Sequence, residues 1–311
     1  MKVAILIPCY NEAASVARVV QDCHKHLPHA DIYVYDNNST DNTAALARAA
    51  GAYVFAERNQ GKGNVIRRMF ADIQADIYVM IDGDCTYDTA SIPKMIERLV
   101  SERLDMVTAV RETSSDSAYR PGHRLGNTLM TRIVHLFFGN KTADMLSGLR
   151  VFSRRFVKSF PANSQGFEVE TELTVFASSM RVPMADMTTP YYERPKNSCS
   201  KLSTVRDGYR ILKMIAVLIK EERPLLFFGM GAIFSFVLSL LCAIPVVLHY
   251  LETGLVPRIP TTILSVGLMI CGGVSLAMAL ILDTVAKTRA EVRRMQYLSV
   301  PVPDPDSLNL K

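Results

Sequence analysis

Two long stretches near the end of this chain, Pro224 to Leu251 and Thr261 to Val285, contain no Lys, Arg or Glu, and Asp283 is their only charged residue. An α-helix rises 1.5 Å per residue, so roughly 20 apolar residues cross the ~30 Å hydrocarbon core of a bilayer. Both stretches are long enough. A buried helical hairpin in a soluble protein would need a large surrounding core, which the rest of the chain is too short to supply. The expected organisation is therefore a soluble part at 1–202, an amphipathic juxtamembrane helix at 203–223, membrane helices at 224–251 and 261–285, a short external loop at 252–260, and a cytoplasmic tail at 286–311.

Basic residues set the expected orientation. Lys213, Lys220 and Arg223 precede the first span and Lys287, Arg289, Arg293 and Arg294 follow the second, whereas the connector holds only Arg258. Positive flanks stay in the cytoplasm, so both ends and the soluble part are expected there, at the inner membrane. The apolar run Val3 to Ile7 is too short for a secretory leader. With 311 residues and 49% hydrophobic content, the chain suits one globular domain plus a modest membrane part better than a polytopic carrier. A net charge of +5 suits an anionic surface or a phosphate-bearing ligand but is too mild to argue for nucleic acid. The six cysteines, at 9, 23, 85, 199, 242 and 271, form no close metal-type pairs and read as free thiols.

Up to about residue 110, short apolar runs alternate with helical patterns, the sequence form of an α/β domain whose mainly parallel sheet carries helices on both faces. Strands are predicted at Val3 to Ile7, Ile32 to Tyr35, Tyr53 to Ala56, Ile77 to Ile81 and Met106 to Ala109. Helices are predicted at Ala13 to Leu27, Asn42 to Ala50, Gly63 to Ile73 and Ile92 to Val100. Ligands of such sheets bind beyond the carboxyl ends of the strands. Polar segments stand there: Pro8-Cys9-Tyr10-Asn11-Glu12, then Asp36 to Asp41, where Ser39 or Asp41 can cap the next helix, then Gly61-Lys62-Gly63 at a helix start. Free N–H groups and a cation at a helix start favour a phosphate, although a glycine-flanked lysine alone is a weak signal.

The most chemical segment is Asp82-Gly83-Asp84, directly after an apolar strand. Side chains two apart on an extended chain share a side, so both carboxylates would face one point, and Gly83 would let a ligand approach the backbone. Mg²⁺ or Mn²⁺ suits that arrangement, with water and the phosphates of a nucleotide diphosphate completing its shell. Asp-Gly is also a common turn signal. The position of this segment, in step with three other polar strand ends, favours the ligand site.

In this order and spacing, these segments resemble glycosyltransferase family 2 enzymes of GT-A fold, and more closely the branch of dolichol-phosphate mannosyltransferases and bacterial polyprenyl-phosphate glycosyltransferases. The resemblance covers roughly residues 2 to 210. It is strengthened by Asp144-Met145-Leu146-Ser147-Gly148-Leu149-Arg150, which is similar to that branch's D-x-x-S-G-[FL]-R segment, by Gly166-Phe167 with Glu172, and by Arg194 with Ser200-Lys201. It implies that Pro8, Tyr10, Glu12 and Asp36 line the base and ribose of a nucleotide-diphosphate sugar, with Lys62 also on the donor. Asp82 and Asp84 would hold the metal and diphosphate, with Thr86 where some members place a glutamine ligand. Arg111, Arg124, Arg194, Ser200 and Lys201 would gather at the transferred phosphates and at the phosphate of a polyprenyl lipid, and Glu172 would belong to the catalytic set.

A lipid phosphate is already anionic near neutral pH, so it can attack the anomeric carbon without a general base, and inversion is expected. Glu172 then reads as a sugar-hydroxyl or arginine partner, or as one exposed carboxylate of the series Glu168, Glu170, Glu172. Two other functions compete. A processive polysaccharide synthase would carry more spans and a Trp-containing acceptor motif, and this chain has no tryptophan. A non-catalytic nucleotide-sugar-binding membrane scaffold would not need the intact acidic pair.

Thr204 to Lys220 places Tyr209, Leu212, Ile215, Leu218 and Ile219 on one face, with Arg206, Arg210 and Lys213 largely away from it, as in a helix lying in the headgroup layer. Leu129 to Phe138 is a second candidate, with a core helix the competing reading. Small residues recur every four positions at Gly231, Ser235, Ser239 and Ala243 and at Gly267, Cys271, Ser275 and Ala279, allowing close packing within the hairpin or between copies in a homo-oligomer. His24, His26 and His29 close a helix and read as solvated, and the proline-containing end Ser299 to Lys311 is given no role.

Overall fold

The computed structural model describes residues 1–112, 132–139, 142–195, 204–256 and 258–301, and of residues 204–207 only the backbone. The chain divides into a globular unit, Met1–Ile215 with Arg293–Lys311, and a second unit, Ala216–Val292. In the globular unit the chain runs β1 (Val3–Cys9), α1 (Val16–His26), β2 (Asp31–Asp36), α2 (Thr43–Ala49), β3 (Tyr53–Ala56), α3 (Lys62–Asp72), β4 (Ile77–Met80), α4 (Ile92–Ser101) and β5 (Met106–Glu112). It continues with β6 (Arg150–Ser153), α5 (Arg154–Ser159), α6 (Val169–Ser179) and β7 (Met184–Pro190).

The described strands form one sheet in the order β3-β2-β1-β4-β6-β5-β7. β1 pairs in parallel with β2 and β4, and β2 with β3, as a βαβ series requires. Strand β1 is apolar without alternation because both its faces are covered. Ile5 and Ile7 join one core with Val20, Ile96 and Val151, and Ala4 and Leu6 join the other with Ile66, Phe152 and Phe176.

The predicted fifth strand, β5, does not neighbour β4. Between them lies β6, antiparallel to both, with Met80 opposite Arg150 and Thr108 opposite Arg150 on its other side. β7 then adds in parallel to the outside of β5. As an edge strand it tolerates its terminal Pro190, which has no N–H to donate.

Asp105 anchors a buried polar cluster in this unit. It is 0% exposed and accepts hydrogen bonds from Ser153 Oγ (2.6 Å), Arg155 Nε and Nη2 (2.5 and 2.9 Å) and Tyr297 Oη (2.6 Å). The Arg155 guanidinium also stacks over the Tyr297 ring at 4.7 Å. A buried carboxylate persists only when its lone pairs are so occupied. Tyr297 comes from the last helix, which runs on well past Val285, where the sequence places the end of the second span.

The second unit contains α8 (Pro224–Thr253) and most of α9 (Ile259–Ser299), preceded by α7 (Thr204–Glu222), which the unit boundary crosses. α8 and α9 are long and apolar enough to cross a membrane. Their small residues meet within the hairpin. Ser239 Oγ donates to Ser265 O at 2.7 Å, Ser265 Oγ returns the bond to Ser239 O at 3.0 Å, and Ser275 Oγ donates to Phe228 O at 2.8 Å. A Cβ on Gly272 would stand 2.6 Å from the Phe236 ring, so glycine there admits the neighbouring helix. The face predicted for α7 is divided: Ile215, Leu218 and Ile219 are buried, whereas Tyr209 and Leu212 are 68% and 45% exposed, and Ile211, outside that face, is buried. Of the candidate Leu129 to Phe138, residues 132–138 are helical, with Val134 and Phe138 buried and Leu136 exposed. Among the described residues, Cys9, Cys23, Cys85, Cys242 and Cys271 are free thiols.

Candidate functional site

One edge of the sheet collects the polar segments, and the reversed strand β6 is the reason. β1, β2, β3 and β4 leave the sheet at this edge, as do β5 and β7, whereas β6 enters it there, at Arg150. The loop Asp144–Leu149 therefore arrives among the strand exits. The exits are tied together. Asn11 N–H donates to Ser39 Oγ and Glu12 N–H to Thr43 Oγ1, both at 2.8 Å, and Thr40 N–H donates to Asn11 Oδ1 at 2.7 Å. Asp41 accepts from Thr43 N–H at 3.0 Å, satisfying the first turn of α2. Asn37 spans to the next exit, donating to Glu57 O and Asn59 O and accepting from Gly61 N–H at 2.7 Å.

Asn11, Asn38 and Cys85, one after each of β1, β2 and β4, have φ of 51°, 62° and 60°. Asparagine tolerates this left-handed conformation, whereas cysteine does so at a cost, and such strain concentrates at ligand sites. On β2, Asp36 Oδ2 accepts from Ser39 N–H at 3.3 Å, while Oδ1 is buried with no partner among the described residues. A buried acceptor of that kind is suited to a ligand N–H or O–H.

Asp82 and Asp84 do not project from an extended strand. β4 stops at Met80 and the acidic pair lies in a turn. Asp82 Oδ1 receives Lys62 Nζ at 2.5 Å, and Asp84 Oδ2 receives Arg194 Nη2 at 2.6 Å. Asp84 Oδ1 accepts from Thr86 Oγ1 at 2.6 Å, so the Thr86 hydroxyl is turned to the carboxylate. Burial, then the neighbouring Asp82 charge, push the Asp84 carboxyl above its ordinary range, against the pull of Arg194 and Thr86.

Lys62 also contacts Glu170 Oε1, at 2.5 Å. Burial opposes its charge, but Asp82 and Glu170 outweigh burial and hold the ammonium above the usual lysine value. The glycines flanking Lys62 serve packing here. A Cβ on Gly61 or Gly63 would stand 2.2 Å from the backbone oxygens of Gln165 and Ser164 respectively, and Asn64 N–H bonds Gln165 O at 3.3 Å. Gly83 and Gly148 are equally constrained, since a Cβ would meet Cys9 Sγ at 2.7 Å and Asp82 Oδ2 at 2.2 Å.

The loop into β6 is held from within. Arg150, 0% exposed, donates through Nε to Ser147 O at 3.0 Å, through Nη2 to Met145 O, and through Nη1 to Thr174 Oγ1 at 2.9 Å. Gly148 N–H donates to Tyr87 Oη at 2.6 Å. Thus fixed, Asp144 receives Arg111 in a two-bond fork, Nε at 2.6 Å and Nη2 at 2.8 Å, and the guanidinium lies over the Tyr191 ring at 5.4 Å.

Glu172 is not an exposed carboxylate. It is 4% exposed and accepts from Asn163 N–H at 2.9 Å and Ser164 N–H at 2.8 Å, bracing the loop before α6. Glu170, two residues earlier, is the carboxylate that reaches the acidic pair's lysine. Of the remaining expected residues, Pro8, Tyr10 and Glu12 stand at the β1 exit, while Arg124, Ser200 and Lys201 lie outside the described residues.

The donor set fits a hard divalent cation: two adjacent carboxylates with a hydroxyl beside them, and no soft ligand required. Asp82, whose side chain is 26% exposed, is the more accessible. Three carboxylates (Asp82, Asp84, Glu170) against two cations (Lys62, Arg194) leave this cluster one negative charge.

The chain is 36% identical over 233 residues to glycosyltransferase AglJ of Haloferax volcanii, covering 73% of this chain and 75% of that protein. It is 25% identical over 220 residues to the dolichyl-phosphate hexose transferase of the same organism, covering 71% and 95%. Among solved structures, glucosyl-3-phosphoglycerate synthase from Mycobacterium tuberculosis in complex with Mn²⁺ and UDP-glucose matches with a TM-score of 0.58 at 22% identity, over 70% of this chain and 78% of that one. At that identity the likeness concerns fold, and it bears out the GT-A expectation. The model of glycosyl transferase family 2 matches residues 4–160. That segment runs from β1 through α5 and takes in the whole parallel half of the sheet together with the acidic pair, and the chain belongs to glycosyltransferase family 2.

Proposed function

We propose that this protein transfers a single sugar from a nucleotide-diphosphate sugar to a polyprenyl phosphate, by direct displacement with inversion, at the cytoplasmic face of the inner membrane. The observation that carries this reading is the position of the Asp82/Asp84 pair, at the edge of the sheet where the strands exit, with Lys62 and Arg194 bonded to it. The name of the dolichyl-phosphate hexose transferase and the two apolar helices support the lipid acceptor.

In this reading Pro8, Tyr10 and Glu12 line the base and ribose, and the unpartnered Asp36 Oδ1 accepts a hydrogen bond from one of them. A Mg²⁺ or Mn²⁺ ion held by Asp82 and Asp84, beside Thr86, supplies Lewis-acid neutralisation of the diphosphate leaving group when bound. Lys62 and Arg194 each present donors already aimed into the cluster, so little reorganisation is needed as charge grows on the leaving phosphate. Arg111, fixed by Asp144, and the expected partners Arg124, Ser200 and Lys201 orient the acceptor phosphate. Its oxygen is anionic at neutral pH and displaces the diphosphate without surrendering a proton. Glu172 contributes by holding the loop whose backbone packs on Gly61 and Gly63.

The test incubates purified protein with undecaprenyl phosphate, Mg²⁺ or Mn²⁺ and a panel of radiolabelled nucleotide sugars, and counts label in the lipid phase. Asp84→Ala should lower transfer by about 10²- to 10³-fold or more, and EDTA should do the same. Undiminished transfer after chelation would sink the metal-assisted reading, and no labelled lipid with any donor would sink the acceptor.

A further inference from the structure

Lys62 is held by two carboxylates where one would neutralise it. Its side chain is 8% exposed, Nζ lies 2.5 Å from Asp82 and from Glu170, and the Phe167 ring stands 5.9 Å away. Glu170 is 6% exposed and sits in the first turn of α6, where its charge also faces the buried guanidinium of Arg150. Burying a carboxylate is costly, and the contact it makes here is with a lysine that already has a partner.

We propose that Glu170 is a positioning residue of the donor site, one that holds Lys62 in place while Asp82 exchanges partners. The inference rests on the nucleotide-sugar reading above. With Asp82 as its only partner, Lys62 would compete directly with a divalent cation for the carboxylate, and losing that contest would strand an unpaired ammonium in the interior. With Glu170 as a second partner, Asp82 can turn from the lysine to the cation, and the ammonium remains paired with its other hydrogens directed at the phosphates. Glu170 also adds a negative charge beside the acidic pair, and without it the site attracts a cation less.

The charge count gives a test that a purely structural role would fail. Removing Glu170 alone makes the site one charge more positive, whereas removing Lys62 and Glu170 together leaves its net charge unchanged. Mn²⁺ alone is titrated into the full-length protein in detergent, with bound and free ion resolved by electron paramagnetic resonance. Glu170→Gln should weaken binding by about 10- to 100-fold, the usual consequence of losing a group behind the ligands. The double variant Lys62→Met with Glu170→Gln should bind within about threefold of wild type, because the two effects cancel rather than add. Wild-type affinity in Glu170→Gln, or a double variant weaker than that single variant, overturns the proposal while leaving the donor-site reading intact. A wild-type protein that binds no Mn²⁺ overturns both. If Glu170→Gln does not fold, as its thermal unfolding would reveal, the double variant decides by itself: Mn²⁺ affinity near wild type supports the proposal, and loss of binding refutes it.

Discussion

Leu6 and Leu240 carry the same side chain and meet opposite fates, 0% exposed in β1 and 57% exposed in α8. The contrast extends across both units. In the sheet unit apolar side chains fill the two cores, and buried charged groups such as Asp105 and Arg150 are held by several hydrogen bonds. In the hairpin Phe234 and Leu251 are 69% and 73% exposed while Ser239 and Ser265 are buried and bonded to each other. A surface this apolar over two long helices is compatible with hydrocarbon as the solvent, and in water it would be an aggregation site. Hydroxyls that fix loops in one unit join helices in the other.

The contrast can be broken most forcefully at Arg150. Replacing it by Ala leaves two carbonyls and a threonine hydroxyl without donors in the interior, and should cost about 3–5 kcal/mol of stability, read as a lowered thermal unfolding midpoint. Leu240→Arg is the sharpest probe of the hairpin. If α8 crosses a membrane, the charge at mid-span should cost about 3 kcal/mol of insertion free energy and shift the protein from the membrane to the soluble or degraded fraction. Unchanged membrane recovery would show that the exposed apolar face meets something other than lipid. Tyr297→Phe, which takes one of four donors from Asp105, should destabilise the globular unit by about 2 kcal/mol and leave membrane recovery unaltered. Ser239→Ala should be the mildest, about 0.6 kcal/mol, because a hydrogen bond between membrane helices is worth little when alternatives exist. A larger loss there would mean that the serine pair specifies the hairpin rather than merely filling it.

The parallel half of the sheet was legible because its strands are apolar on both faces and its helices end at clear stops, such as Pro28 and Gly51. Strand β6 was not: it is four residues long, opens with a buried arginine, and its reversal follows from pairing that no local pattern encodes. The acidic pair was legible as chemistry, whereas the cation that each carboxylate meets, Lys62 for Asp82 and Arg194 for Asp84, comes from distant parts of the chain that no local pattern encodes. On α6 the periodicity says that Glu170 and Glu172 face differently. Only the tertiary structure says that Glu170 meets Lys62 and Glu172 the loop at 163–164. Gly61-Lys62-Gly63 reads as a helix start that favours a phosphate, and no local pattern shows that the backbone at 164–165 packs against both glycines. Side chains on α7 defeated the simple helical wheel because burial there selects Ile211 and leaves Tyr209 exposed.

Tyr297 has a consequence for how the molecule is made. Its hydroxyl is a partner of Asp105, 192 positions earlier in the chain, so the ribosome must deliver both apolar helices before that carboxylate receives its last donor. The nascent globular unit therefore waits, with one acidic side chain incompletely satisfied, until translation has passed the hairpin. A fragment ending at Ile215 would keep every described strand yet be frozen in that unfinished state.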